Sequence, residues 1–217
     1  MKLESRQKKF FHATKEVLFS FKVYLQDINW FLHQGNSVVA IFVVAAVLYA
    51  WYGASAAFVP LFLLQKFNAD LFTVGIIMTL INLPFMSVEY LFGRISDKFG
   101  EWKMIGIGLL SSGIFTAAIF FAPSVIIFTF FSILSSIGNT ILEPLTESIS
   151  GKLVNEARRG RLSAIINTGK DVGAIIGVIF AGFLAQAAGI GSIFLFIGLS
   201  FVICYILVLI WKKFELR

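Results

Sequence analysis

Six apolar runs divide most of this chain: Ser37 to Leu64, Leu71 to Phe92, Met104 to Ala122, Ser124 to Leu142 with a continuation toward Leu153, Leu162 to Ala188, and Ser192 to Trp211. A helix needs about 20 apolar residues to cross a hydrocarbon core, and each run approaches or passes that length. In lipid every backbone polar group must pair within its own segment or within a closed barrel. Barrel-type alternation is absent, so the runs are helices. The first and fifth exceed the minimum and are expected to tilt or protrude. Composition agrees: 58% of residues are hydrophobic and only 14% charged, against about a quarter charged in a soluble domain.

The basic residues orient the spans. Of the 18 Lys and Arg residues, sixteen fall in four segments: before span one, between spans two and three, between spans four and five, and after span six. The positive-inside rule places these segments, and both termini, in the cytoplasm. The net charge of +6 therefore reflects topology and gives no reason to expect a nucleic-acid partner. Residues 1–35 form the first expected domain, a cytoplasmic linker or anchor, and residues 36–217 the second, a six-helix membrane domain. In the first, Phe10, Phe11, Val17, Leu18, Phe21, Tyr24, Leu25, Ile28, Phe31 and Leu32 recur mostly at spacings of three and four. That pattern predicts an amphipathic helix on the inner membrane surface.

Charges inside a bilayer are costly, so they face protein or water. Glu89, Glu143, Glu147, Lys170 and Asp171 lie within the runs. All five sit on spans two, four and five, as do Asn82, Asn139 and Asn167; spans three and six carry no charge. Spans two, four and five are therefore expected to line something polar, with three and six facing lipid. Span one adds Tyr49, Trp51 and Tyr52 near mid-depth as cavity candidates. At 1.5 Å per residue, Glu89 lies ~27 Å from the start of span two, near the inner interface, and Lys170 and Asp171 lie ~12–14 Å into span five, near the midplane. Burial raises a carboxyl pKa toward working pH, which makes Glu89, Glu143 and Asp171 candidate proton carriers, with Lys170 as a counter-charge or an anion site. Span five also spaces Gly169, Gly173 and Gly177 four apart, a smooth stripe for close helix approach.

The sole cysteine, Cys204, lies in span six, and His12 and His33 both precede span one. No metal-ligand spacing is present. A Ser-His pair cannot form at membrane depth, so an intramembrane enzyme is not expected. No metal and no other cofactor is implied.

"GRISDKFGEWK", Gly93 to Lys103, joins spans two and three and predicts a tight, Gly-bracketed cytoplasmic turn. Its Gly93, Asp97, Lys98, Gly100 and Lys103 resemble the loop signature of the major facilitator superfamily of secondary transporters. Glu101 and Trp102 stand where that family has two basic residues. "RGRLSAIINTGKDVGAIIGVIFAGFLAQAAG" resembles the family's fifth or eleventh helix, with Val178 where a proline is usual. The resemblance runs from Asn36 to Trp211. It implies the C-terminal six-helix half of a twelve-helix architecture, built as two inverted three-helix repeats. It further implies a small solute moved by alternating access, proton coupling, efflux as one direction, and a plasma-membrane location. Asp97 would latch the inner side against the opposite half. A homodimer or a separate N-terminal half is the expected partner, with spans two and five at the contact. The alternative is a non-transporting half, or a fragment of a twelve-helix transporter.

Overall fold

The computed structural model describes residues 29–31, 33, 35–87 and 89–215. The chain divides into two compact units, residues 1–35 and 36–217. In the first, residues 29–31 are helical and the His33 ring donates to the Asn29 carbonyl at 2.7 Å. The rest of the expected amphipathic helix lies outside the described residues.

The second unit is helical throughout. Its helices are α1 (Asn36–Phe67), α2 (Leu71–Ser87), α3 (Glu89–Phe99), α4 (Glu101–Ile119), α5 (Val125–Leu153), α6 (Glu156–Ala188) and α7 (Ser192–Glu215). Five of them, α1, α4, α5, α6 and α7, are long and apolar enough to cross a membrane. They correspond to spans one, three, four, five and six.

Span two departs from expectation. Its run from Leu71 to Phe92 is divided between α2 and α3. Pro84 lies inside α2 and lacks the N–H that would bond one turn back. Asn82 Nδ2 donates to the Met78 carbonyl at 2.7 Å, and Ser87 Oγ to the Leu83 carbonyl at 3.0 Å. Such back-bonding bends helices. The expected turn from Gly93 to Lys103 is also corrected. Gly93 to Phe99 continue α3, and Gly100 alone, at φ +88°, makes the connection to α4. A positive φ is open to glycine without steric cost.

Packing follows from small residues. Lipid removes most of the hydrophobic drive between helices, so close approach and hydrogen bonds replace it. α1 packs chiefly on α6 and also meets α5 and α7; α4 lies against both α5 and α7; α2 rests on α5. Along the α1–α6 seam, a Cβ on Gly173 would land on the Ala46 carbonyl, one on Gly177 on the Ala50 carbonyl, and one on Gly169 on the Phe42 ring. The glycine stripe of span five, expected to serve a contact between chains, is thus occupied within this chain. At the α4–α5 seam, Thr116 Oγ1 and Ser135 Oγ share a hydrogen bond of 2.7 Å. Phe62, Phe128 and Phe194 join α1, α5 and α7, with ring centroids 4.7 to 6.0 Å apart.

Candidate functional site

One face of α5 carries the site. Ser132, Ser136, Asn139 and Glu143 stand at i, i+4, i+7 and i+11, which is one stripe of an α-helix. All four line a cavity of about 390 Å³ between α1, α2 and α5. Trp51, Tyr52 and Ser55 close it from α1; Met78, Asn82 and Phe85 close it from α2. The Tyr52 and Phe85 rings meet edge to face at 6.0 Å.

Glu143 is half-buried at the cavity wall. Tyr49 Oη donates to its Oε1 at 2.8 Å and Tyr52 Oη to its Oε2 at 3.1 Å. Both donors stand on α1, one turn apart. Acceptance at both oxygens is the pattern of an ionised carboxylate. Above it on the stripe, Asn139 Oδ1, Ser136 Oγ and Ser132 Oγ are buried without a hydrogen-bond partner among the described residues. Orphaned polar atoms at such depth are rare in folded proteins.

Lys170 is buried at 5% exposure. Its Nζ donates to Glu147 Oε1 at 3.0 Å and lies 5.0 Å from the Tyr49 ring centroid. A chain of contacts therefore runs Glu147–Lys170–Tyr49–Glu143–Tyr52 and ties α6, α5 and α1 together. Glu147 is exposed at its outer side, with 67% of its side chain accessible. Proximity to Glu147 corrects the depth expected for Lys170. α6 begins at Glu156, six residues before the apolar run, and α5 continues to Leu153, so both helices outrun the membrane core at the shared end.

The other expected site residues scatter. Asn82, Asn139, Trp51 and Tyr52 line the cavity; Tyr49 stands behind it. Asn167 and Asp171 are exposed on α6 and do not line it. The polar interior is thus walled by spans one, two and four, where two, four and five were expected; span five contributes Lys170 from behind. α4 and α7 lend it no residue. Glu89, Gly93 and Asp97 stand on α3, with side chains outside the described residues. Lys98, Gly100 and Lys103 are exposed.

Sequence reasoning missed Ser132, Ser136 and Phe85. The heptad-like spacing of the two serines with Asn139 and Glu143 was a sufficient signal. It also missed the role of Glu101, whose Oε1 accepts from Ser148 Oγ at 2.6 Å and from Lys152 Nζ at 2.8 Å. That clasp holds α4 to α5. Among the described residues no cluster of His, Cys, Asp or Glu could hold a metal ion.

A bundle of apolar helices with its buried polar groups gathered on one internal cavity defines a multi-pass membrane protein. The family model of the Major Facilitator Superfamily matches residues 40–215, and the chain belongs to that family. It is 28% identical over 137 residues to the uncharacterized MFS-type transporter MJ1560 of Methanocaldococcus jannaschii, across 60% of this chain and 34% of that one. It is 33% identical over 115 residues to the multidrug resistance protein MdtH of Klebsiella pneumoniae, across 52% of this chain and 28% of the relative. The chain thus spans about a third of the length of the curated relatives it matches. Its fold is similar to that of a mutant peptide transporter POT in complex with alafosfalin, with a TM-score of 0.73 at 16% identity, over 82% of this chain and 39% of the other.

Proposed function

We propose that this chain is one half of a secondary active transporter, moving a small solute by alternating access across the plasma membrane with both termini cytoplasmic. The observation that carries the reading is the buried polar chain from Glu147 through Lys170 and Tyr49 to Glu143, set against a cavity. A protein that only anchors or scaffolds gains nothing from a lysine buried at 5% exposure. Membership of the superfamily supports the same reading, as do the relatives named for transport.

The six spans are α1, α2 with α3, α4, α5, α6 and α7, in two inverted three-helix repeats. Support comes from the pattern of packing. Exchanging α1 with α5, α2 with α6 and α4 with α7 turns the α1–α6 contact into α5–α2, and the α4–α5 contact into α7–α1. It leaves α4–α7 and α1–α5 unchanged, and all of these contacts occur. Rocking of the two repeat-built halves around a midplane site is how such folds alternate access.

Coupling is assigned to the ion pair. A proton on Glu147 removes the counter-charge of a buried ammonium, which releases α6 from α5. Asp97, at the inner rim, acts on rate rather than on solute binding. The partner, a second copy or a separate N-terminal half, docks on α2 and on the exposed Ile175, Ile176, Ile179 and Phe183 of α6, not on the glycine stripe.

Purified protein in liposomes with an imposed pH gradient tests the proposal. Solute addition should dissipate the gradient; Glu147→Gln should abolish that while leaving solute exchange. Asp97→Asn should slow flux with binding intact. Single cysteines at Ile176 or Ile179 in a Cys204→Ser background should crosslink between chains, and ones on α4 or α7 should not. Folded protein that supports no flux with any solute class favours the non-transporting half.

A further inference from the structure

Glu143 gives the α1–α2–α5 cavity a charge that no basic group answers. Its contacts among the described residues are the two tyrosine hydroxyls. The one buried cation nearby, Lys170, is paired with Glu147 and does not line the cavity. A carboxylate at a half-buried wall without a cation is costly unless a ligand supplies one.

The rest of the lining narrows the ligand. Ser132, Ser136 and Asn139 are 5%, 2% and 2% exposed, and an oxygen of each is buried without a partner. They extend the acceptor stripe ~16 Å along α5, counted from Ser132 to Glu143. Facing them are the rings of Trp51, Tyr52 and Phe85, which attract cations through their faces. The volume of about 390 Å³ falls in the range of sites for organic molecules, roughly 300–1,000 Å³, and far exceeds a bare metal ion. An anion would meet Glu143 with like charge. A neutral apolar molecule would leave the carboxylate unanswered.

We propose that this cavity binds an organic monocation with N–H donors on an apolar body, that is, a protonated amine carrying an aromatic or branched hydrocarbon group. The ammonium sits at Glu143, its remaining donors reach Asn139 and Ser136, and the hydrocarbon packs on Trp51 and Phe85. The assignment names the solute class for the transporter proposed above and rests on that reading for its physiological meaning, but binding itself is tested separately.

The test uses the full chain in lipid nanodiscs and four probes on one skeleton: 4-phenylbutylammonium, its N,N,N-trimethyl analogue, 4-phenylbutanol and 4-phenylbutyrate. Affinities are measured by calorimetry. The ammonium is expected to bind at least about tenfold tighter than the alcohol, a difference of about 1.4 kcal/mol. The trimethyl analogue, with charge but no donors, falls between them, and the carboxylate does not bind. In Glu143→Gln the ammonium should drop to the alcohol's affinity while the alcohol is unchanged. In Asn139→Leu it should lose its advantage over the trimethyl analogue. Equal affinity for ammonium and alcohol in the wild-type chain, preference for the carboxylate, or no binding of any probe to monodisperse helical protein overturns the proposal. Discrimination among probes with no flux in liposomes leaves the site standing and sinks the transport reading. Flux of another solute class without amine binding does the reverse.

Discussion

Helix α1 has two working faces, and they are built in opposite ways. Toward α6 it presents Ala46, Ala50 and Gly53 to Gly169, Gly173, Gly177 and Ala174, and the two backbones touch. Toward α2 and α5 it presents Trp51, Tyr52 and Ser55, and the walls stand apart around a cavity. The first face has no room for a methyl group; the second leaves three buried polar oxygens without partners. Small residues make a joint that transmits force, whereas large amphipathic ones make a space that admits a ligand. A single helix that does both can report occupancy of the cavity to α6.

The largest effect should come from filling the closed face. Gly177→Ala puts a methyl group onto the Ala50 carbonyl, and Gly173→Ala does the same at Ala46. Neither backbone neighbour can move without shifting its helix. Each variant should lose about 3 kcal/mol, the upper end for overpacking, seen as a lower thermal midpoint in detergent. Gly75→Ala on α2 has no neighbour within 4 Å. It should be neutral, or stabilised by up to about 1 kcal/mol through helix propensity. Equal losses at Gly75 and Gly177 would break the contrast between the two faces.

Next comes the pair that ties the faces together. Glu147→Gln leaves the buried Lys170 without its partner and should cost about 2 kcal/mol. That is less than the 3–5 kcal/mol for a fully buried pair, because Glu147 is largely exposed. Lys170→Met removes the buried charge itself and should cost less than Glu147→Gln. The reverse order in thermal midpoints would mean that Lys170 is held by packing on Tyr49 rather than by its charge.

Much of this was readable in advance, and the failures have physical causes. Five of the long helices follow their apolar runs, because run length needs no knowledge of neighbours. The break of span two near residue 88 was hidden by its unbroken hydrophobicity; Pro84, Asn82 and Ser87 act locally on the backbone there. The Glu147–Lys170 pair was obscured because depth was counted from Leu162, whereas α6 continues through Arg161, Arg159 and Arg158 to Glu156. Those side chains are polar, yet a helix needs no apolar face once it leaves the membrane. Glu101 looked like a departure from the loop signature, and its partner Lys152 lies 51 residues away, beyond any local pattern. Ser132 and Ser136 are small residues inside an apolar run, and only the stripe they share with Asn139 and Glu143 marks them.

A smaller effect probes the wall between the faces. Tyr49→Phe and Tyr52→Phe each remove one donor to Glu143, and each should cost about 1 kcal/mol. Tyr49→Phe keeps the ring beneath Lys170. If that ring is what Lys170 needs, Tyr49→Leu should cost measurably more than Tyr49→Phe. No such difference is expected between the Leu and Phe variants in a Lys170→Met background.

The smallest effect lies at the start of α2, the cavity wall with the fewest buried residues among those flanking it: Val74, Ile77 and Pro84. Packing holds it weakly, so its cap matters. Asp70 Oδ1 accepts from the Thr73 N–H at 2.6 Å, and the hydrogen bonds from Thr73 hold the Asp70 carboxyl below its ordinary value of 3.8. A carboxyl depressed in the folded state contributes stability above its unfolded pKa and loses it as pH falls through the folded one. Protection of the Thr73 amide against hydrogen exchange should therefore be constant from neutral pH down to about 4 and decline below. Asp70→Asn keeps an acceptor but not the charge that complements the helix N-terminus. It should be slightly less protected at neutral pH and converge with the native chain in acid. A pH-independent difference between the two would mean that the acceptor geometry, and not the charge, sets the cap. A wild-type Thr73 amide unprotected even at pH 7 would mean that α2 frays at this end and that the cavity is bounded there by lipid rather than by a fixed wall.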